Sequence, residues 1–288
     1  MHGGVNSHAE QRWLNMNRKG QFPIILGLAL SAILIVSALV AYKVSIFPRK
    51  AEQGKWIHII INLDEDLQRA LKAALANFTQ EYMETGNLTV SKRSAEIKLK
   101  AWKLAFIVAH IGSSIKLNLN PEGVTVRPEF SYSVNLTYNQ YTIEKVLTVP
   151  NVAIERGSFF TCSWDSPCGV SAAYASVALD VTQDKVYGWN SSSLILLALN
   201  ITSINSDSSL NETRIGFICH SEKGWINQLN SEDVAVYINS TEINVVCFEY
   251  EGEGRYTVTI GRALSPPYTL RLCVRDNRGI FVNASLQD

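Results

Sequence analysis

Between Lys19 and Lys43 the chain carries no charged residue; the stretch reads GQFPIILGLALSAILIVSALVAY. As a helix, Phe22 to Tyr42 spans about 31 Å, the thickness of a bilayer's hydrocarbon core. A buried core helix is the alternative, but such helices seldom run this far without one charge. A cleaved secretory signal has an apolar region of only about 7 to 15 residues and a small-residue cleavage site. This run is longer and ends in Tyr42-Lys43-Val44-Ser45. The expectation is a retained transmembrane helix over 22–42, with 1–21 on one side and a polar linker, 43–55, on the other. A lipid bilayer is therefore the first partner that the sequence implies.

Flanking charge does not orient the span. Arg12, Arg18 and Lys19 precede it, and Lys43, Arg49, Lys50 and Lys55 follow it. The C-terminal side holds eight Asn-x-Ser/Thr sequons, at Asn77, Asn87, Asn135, Asn190, Asn200, Asn211, Asn239 and Asn283. Chance would give ~3, although a Ser/Thr/Asn-rich β surface is the plainer explanation. All five cysteines, Cys162, Cys168, Cys219, Cys247 and Cys273, lie on the same side, as suits an oxidising exterior. The reading is a single-pass cell-membrane protein with a cytoplasmic N-terminus and a glycosylated extracellular body.

Arg18-Lys19-Gly20-Gln21-Phe22, directly before the apolar run, resembles the class III signal of archaeal type IV pilin-like proteins. The resemblance implies a leader, 1–20, removed by a prepilin peptidase between Gly20 and Gln21, with the apolar helix kept on the mature protein. Ile25 stands where pilins often carry Glu, and Pro23 falls at the third mature position.

The rest of the chain predicts an α+β body. Lys55 to Leu63 reads as a short strand or extended entry. From Asp64, the residues Leu67, Leu71, Leu75, Phe78 and Tyr82 form one apolar helical stripe, which Leu63 extends backward. Asn62 or Asp64 caps its first turn, and the acidic run Asp64-Glu65-Asp66 complements the helix dipole; the run lacks the alternating oxygen ligands of a calcium loop. Thr85-Gly86-Asn87 stops the helix. A second helix over Ser94 to Ile111 is apolar on more than one face and should be sandwiched, with His110 packed in it.

From Leu117 the texture is β, in two antiparallel β-sandwich-like modules. The first, with the helical hairpin, occupies 56–204, and polar residues 200–209 read as the boundary. The second, 210–288, predicts strands over Val234 to Tyr250 across an Asn239–Glu242 turn. It also predicts a hairpin turning at Gly252 and Gly254, and a last pair turning at Asp276–Gly279. Tyr256, Val258, Ile260, Leu270, Leu272 and Val274 face inward by alternation, and Cys273 outward. This segment resembles immunoglobulin-like modules of archaeal and bacterial surface proteins. Cys162-Ser-Trp-Asp-Ser-Pro-Cys168 is short enough to close a disulfide, with two free thiols the alternative; Cys219 with Cys247 stays open.

No catalytic signature stands in the sequence: no phosphate loop, nucleophile elbow, H-E-x-x-H or dinucleotide glycines. Gly252-Glu253-Gly254 belongs to a hairpin and opens no helix. Cys219 and His220 point to opposite faces of one strand, and Asp180, Asp184 and Asp233 form no carboxylate pair. Balanced charge, 26 basic against 26 acidic residues, disfavours nucleic acid as partner. No cofactor or metal is expected. The function expected is a non-catalytic surface protein, pilin-like or an envelope component. The alternative is a tethered ligand-binding or sensor ectodomain; Trp102, Trp164 and Trp189 are candidates to line a groove between the helical hairpin and the first β module, with core packing the plainer role for each.

Overall fold

The computed structural model describes residues 31, 33–38 and 58–288, except 111–114, 122, 127–129, 140, 150–151 and 182–185. The chain divides into two compact units, Met1–Leu63 and Asp64–Asp288. In the first, residues 31 and 33–38 are helical, and Ile33, Leu34, Ile35 and Val36 are 59–69% exposed. Most of the uncharged run, including Gly20 and Gln21, lies outside the described residues. Among the described residues no helix is long and apolar enough to cross a membrane.

Helix α1 covers 58–85, so His58 to Leu63 is helical where an extended entry was expected. The i, i+4 stripe explains this: Ile59 and Leu63 continue the series Leu67, Leu71, Leu75 and Phe78, and all six are buried. Asp64 therefore caps nothing. Its Oδ1 accepts from Ser191 Oγ at 2.6 Å, fixing the helix to a strand. Gly86 (φ +64°) takes the left-handed conformation that ends α1. Asn87 caps α2 (Leu88–Ala109), its Oδ1 accepting from Val90 N–H. The second helix starts six residues earlier than expected because Asn87, directly after the Gly86 stop, caps the next helix. It is not sandwiched: Ser91, Ala95, Leu99 and Phe106 are buried, while Ile97, Leu104 and Val108 are 58–64% exposed.

Two antiparallel sheets follow the hairpin. Among the described residues the larger has ten strands, six of them along the path β1 (Ile115–Asn120), β7 (Cys168–Val181), β8 (Val186–Asp207), β9 (Glu212–Ser221), β14 (Arg255–Ile260) and β13 (Val245–Gly252). To these it adds β3 (Phe130–Tyr138), β4 (Tyr141–Val149), β6 (Phe160–Ser163) and β10 (Gly224–Trp225). Among the described residues its one parallel contact joins β3 to the end of β8. The smaller sheet runs β12 (Thr241–Ile243), β11 (Val234–Ile238), β15 (Thr269–Arg275), β16 (Phe281–Gln287). A short ribbon pairs β2 (Val124–Val126) with β5 (Val152–Ile154).

Residues 200–207, expected as a boundary, are the last third of β8. The chain turns at 208–211 straight into β9, which pairs with β8 from Asp207↔Glu212 to Leu197↔Ser221. At about 3.3 Å per residue, β8 is ~70 Å long and serves both halves of the body. Val234 to Tyr250 is three strands, not two: β12 returns on β11, and the chain then crosses to the other sheet as β13. The predicted β13–β14 and β15–β16 pairs are present, and their six inward residues are 0–1% exposed.

Helix α1 and the smaller sheet meet along β16. Thr79 Oγ1 accepts the Phe281 N–H at 3.0 Å, and the Asn283 amide lies 3.1 Å from Met83 sulfur. Phe78 stacks on Phe160, and Tyr82 on Trp164. Trp164 donates to Ser171 Oγ (2.9 Å), which donates to the Phe281 carbonyl (2.7 Å). Strand β16 crosses β7 so closely that a Cβ on Gly169 would sit 1.8 Å from Asn283 oxygen. The opposite face of β7–β8 holds a smaller core of Ile154, Cys168, Val170, Ala172, Leu196 and Ala198.

Candidate functional site

The densest polar construction lies where β9 ends. Beyond Ser221 the edge of β8 would lose its partner at Leu196. Two side chains replace it: Glu222 Oε2 accepts the Leu196 N–H at 3.0 Å, and Arg278 Nη2 donates to the Leu196 carbonyl at 2.8 Å. Arg278 also grips both Glu222 oxygens (2.8 and 2.9 Å) and, through Nε, Asp276 (2.6 Å). Asp276 Oδ1 accepts the N–H groups of Arg278 and Ile280, shaping the β15–β16 turn. The Asp-Asn-Arg-Gly sequence is thus a clamp as well as a turn. A cavity of about 350 Å³ opens beside it, with Lys72, Trp225, Asn227 and Gln228 on its wall.

The clamp's groups are held as ions. Burial pushes Glu222 up, but the Leu196 N–H and Arg278 outweigh it, leaving its carboxyl below the ordinary value. Burial likewise disfavours charge on Arg278, and Asp276 and Glu222 reverse that. Neighbouring Cys219 is fully buried, and burial, reinforced by Asp276, pushes its thiol far above its usual range. His220 points the other way, edge-on to Trp225, with burial lowering its pKa. A locked ion triad and a neutral thiol build structure; nothing in them is poised for proton transfer.

A second groove, about 430 Å³, is lined by Lys145, Asp165, Tyr237, Thr269, Arg271 and Ser285, among others. Arg271 stacks over the Tyr237 ring at 4.5 Å, and its Nε is buried without a hydrogen-bond partner. A third, about 390 Å³, runs along Asn120, Tyr174, Ser176, Asn190, Ser191 and Ser192. Among the described residues no group of three or more His, Cys, Asp or Glu side chains is placed to hold a metal ion.

Two of the three candidate groove tryptophans pack against the protein's own residues. Trp164 is core, and Trp102 leans on Phe106 of its own helix. His110 ends α2, its Nδ1 2.9 Å from the Phe106 carbonyl and its ring against Phe106.

The sequons divide by environment. Asn87, Asn135, Asn190, Asn211 and Asn239 are exposed. At Asn211 and Asn239 (φ +52° and +49°) the amide oxygen accepts the Ala263 and Thr269 N–H groups, so the nitrogen that a glycan joins is not the atom used. Half-buried Asn77 uses both ends, donating to Ser94 and accepting from Lys98. Asn200 and Asn283 are 7% and 3% exposed; no glycan fits on either without opening the fold.

All five cysteines are free thiols. Cys162 stands opposite Ser171 in the β6–β7 pairing, so Cys168 lies three positions along and on the other face. That is about 10 Å of strand, beyond the reach of a disulfide. Cys273, expected outward, is buried at 5%; it pairs with Ala235 and with Asn283, whose side chain meets Met83 of α1. Cys219 is buried and Cys247 exposed, so they do not meet.

The clamp and the triad were not foreseen from sequence. Its members are separated by 56 residues, and only the Asp-Asn-Arg-Gly turn signalled one end of it. No protein-family profile, curated protein or solved structure matches this chain.

Proposed function

We propose that the chain is a membrane-anchored extracytoplasmic surface protein, a pilin-like filament or envelope component that presents a β-rich body and carries out no catalysis. The observation that carries this reading is the uncharged run from Gly20 to Tyr42. The short helical stretch inside it supports the reading, because four consecutive apolar side chains more than half exposed to water are at home in lipid or in a filament core. Five exposed sequons point the body outward. The unpaired cysteines lend that orientation no weight.

Strand order supports the immunoglobulin-like reading of the last segment. The tail of β8 with β9, β14 and β13 forms one layer, and β12, β11, β15 and β16 the other. Named in chain order, these are strands A-B-E-D against C′-C-F-G, the arrangement of immunoglobulin-type sandwiches. The groups around Glu222 and Arg278 join this sandwich to the rest of the large sheet, a structural use for the most elaborate polar cluster in the chain.

A tethered ligand-binding ectodomain is the second reading. The groove holding Arg271, with an unpartnered Nε beside an aromatic ring and hydroxyls, favours it.

The test is extraction of native membranes with alkaline carbonate, combined with protease added to whole cells. The expected result is a chain that stays with the membrane and loses its body to external protease. A chain released by carbonate, or a body protected in intact cells, overturns the reading.

A further inference from the structure

The outer face of α2 has an apolar stripe with nothing upon it. Val90, Ile97, Leu104 and Val108 are 47%, 58%, 62% and 64% exposed, and exposed Ala101 completes the line. Spacings of seven, four, three and four residues keep all five within one narrow sector of the helix, about 27 Å long at 1.5 Å per residue. The opposite face, through Ser91, Ala95, Leu99 and Phe106, is already buried. α2 is therefore amphipathic twice over, and only one of its apolar faces is used by the fold.

Charge identifies the occupant. The helix carries five basic residues, Lys92, Arg93, Lys98, Lys100 and Lys103, against one acidic residue, Glu96. Arg93 and Lys100 flank the stripe on one side and Lys98 on the other, at 100° per residue. A second copy of α2 laid on this face would set lysine and arginine rows against their own kind. An anionic surface meets them favourably, and an apolar stripe between basic flanks is the pattern of a helix lying in a lipid headgroup layer.

We propose that the outer face of α2 lies on the anionic lipid surface of the membrane that holds this protein. The inference rests on the anchored reading above and adds to it: the helical hairpin is a second, interfacial contact with lipid. Val90, Ile97, Leu104 and Val108 enter the acyl boundary, while Arg93 and Lys100 pair with lipid phosphates.

The test uses the full chain reconstituted into vesicles, either phosphatidylcholine alone or three parts phosphatidylcholine to one part phosphatidylglycerol. A Cys247→Ser background removes the exposed thiol, and Leu104→Cys carries an NBD fluorophore; Val108→Cys repeats the measurement at a second exposed position. In anionic vesicles the NBD emission should shift blue and be quenched by lipid-borne nitroxide. Arg93→Gln and Lys100→Gln should each lower the lipid-bound to water-exposed ratio about fivefold. NBD in water at both positions, in a chain that floats with the vesicles, overturns this inference and leaves the anchor standing. Shielding from water that rises with protein density but shows no lipid quenching assigns the face to contacts between copies and also overturns it. A chain that stays out of the lipid fraction overturns both readings.

Discussion

Arg278 makes hydrogen bonds to a strand edge, to its own turn and to a carboxylate from the β9–β10 turn, with its side chain 16% exposed. Removing one partner of a mostly buried ion pair costs about 3 kcal/mol, because the survivor stays desolvated. Arg278→Leu should therefore lower unfolding free energy by about that amount in urea titrations, while a Glu222→Gln/Arg278→Leu double variant should cost less than the sum of the singles. Acid should act on the same site. The folded carboxyl of Glu222 titrates below its ordinary 4.5, so its contribution is complete above that value and is lost as pH falls through the folded pKa. His220, depressed from 6.5 by burial, contributes above 6.5 and also loses as pH falls. Thermal melts should thus lose stability as pH falls, with the Glu222 part lost below 4.5, and Glu222→Gln should flatten that part of the limb. Thiols offer a separate check. Burial pushes Cys162, Cys168 and Cys273 up to about 12, and Cys219 further, whereas Cys247 is exposed. At neutral pH a thiol reagent should modify Cys247 quickly and the other four only on unfolding; two thiols lost together to a bridge would contradict the free state.

At the scale of elements, what could be read from sequence was what depends on neighbours along the chain. The α1 stripe, the inward sets on β14 and β15, and the turns at Gly252–Gly254 and Asp276–Gly279 follow from periodicity and backbone preference. The errors came where tertiary packing decides. Ile59-Ile60-Ile61 has strand composition but completes a helical stripe. The polar texture of residues 200–207 suggested a loop, yet β3 and β9 flank that end of β8 and satisfy its backbone. Cys273 alternates outward on its own strand, but its neighbour Asn283 on β16 meets α1 and crosses β7, so that face is not open. That crossing gives the sharpest prediction at this scale. A Cβ on Gly169 would collide with the backbone of Asn283, which has no side-chain freedom to yield. Gly169→Ala should destabilise the body by about 3 kcal/mol, whereas Gly157→Ala, whose Cβ would meet nothing within 4 Å, should cost less despite its φ of +87°.

For the whole molecule, the sequence spoke more clearly of place than of contacts. An uncharged run is legible without any fold because lipid acts on composition; the shared ten-stranded sheet was not, since some of its pairings join residues far apart in sequence, as in Tyr138↔Ser206. Sequon use belongs to this scale too. Burial separates Asn87, Asn135, Asn190, Asn211 and Asn239, which can carry sugar on the folded body, from Asn200 and Asn283, which cannot. Glycopeptide mapping should find occupancy confined to the exposed five, and substantial occupancy at Asn200 or Asn283 would contradict the packing described for β8 and β16. The most direct measurement of the central claim is the intact mass of the native protein taken from the membrane fraction. The account predicts a chain that begins at Gln21, retains its apolar run and carries glycan mass. A chain of bare peptide mass, recovered from the soluble fraction with Met1 in place, would contradict it.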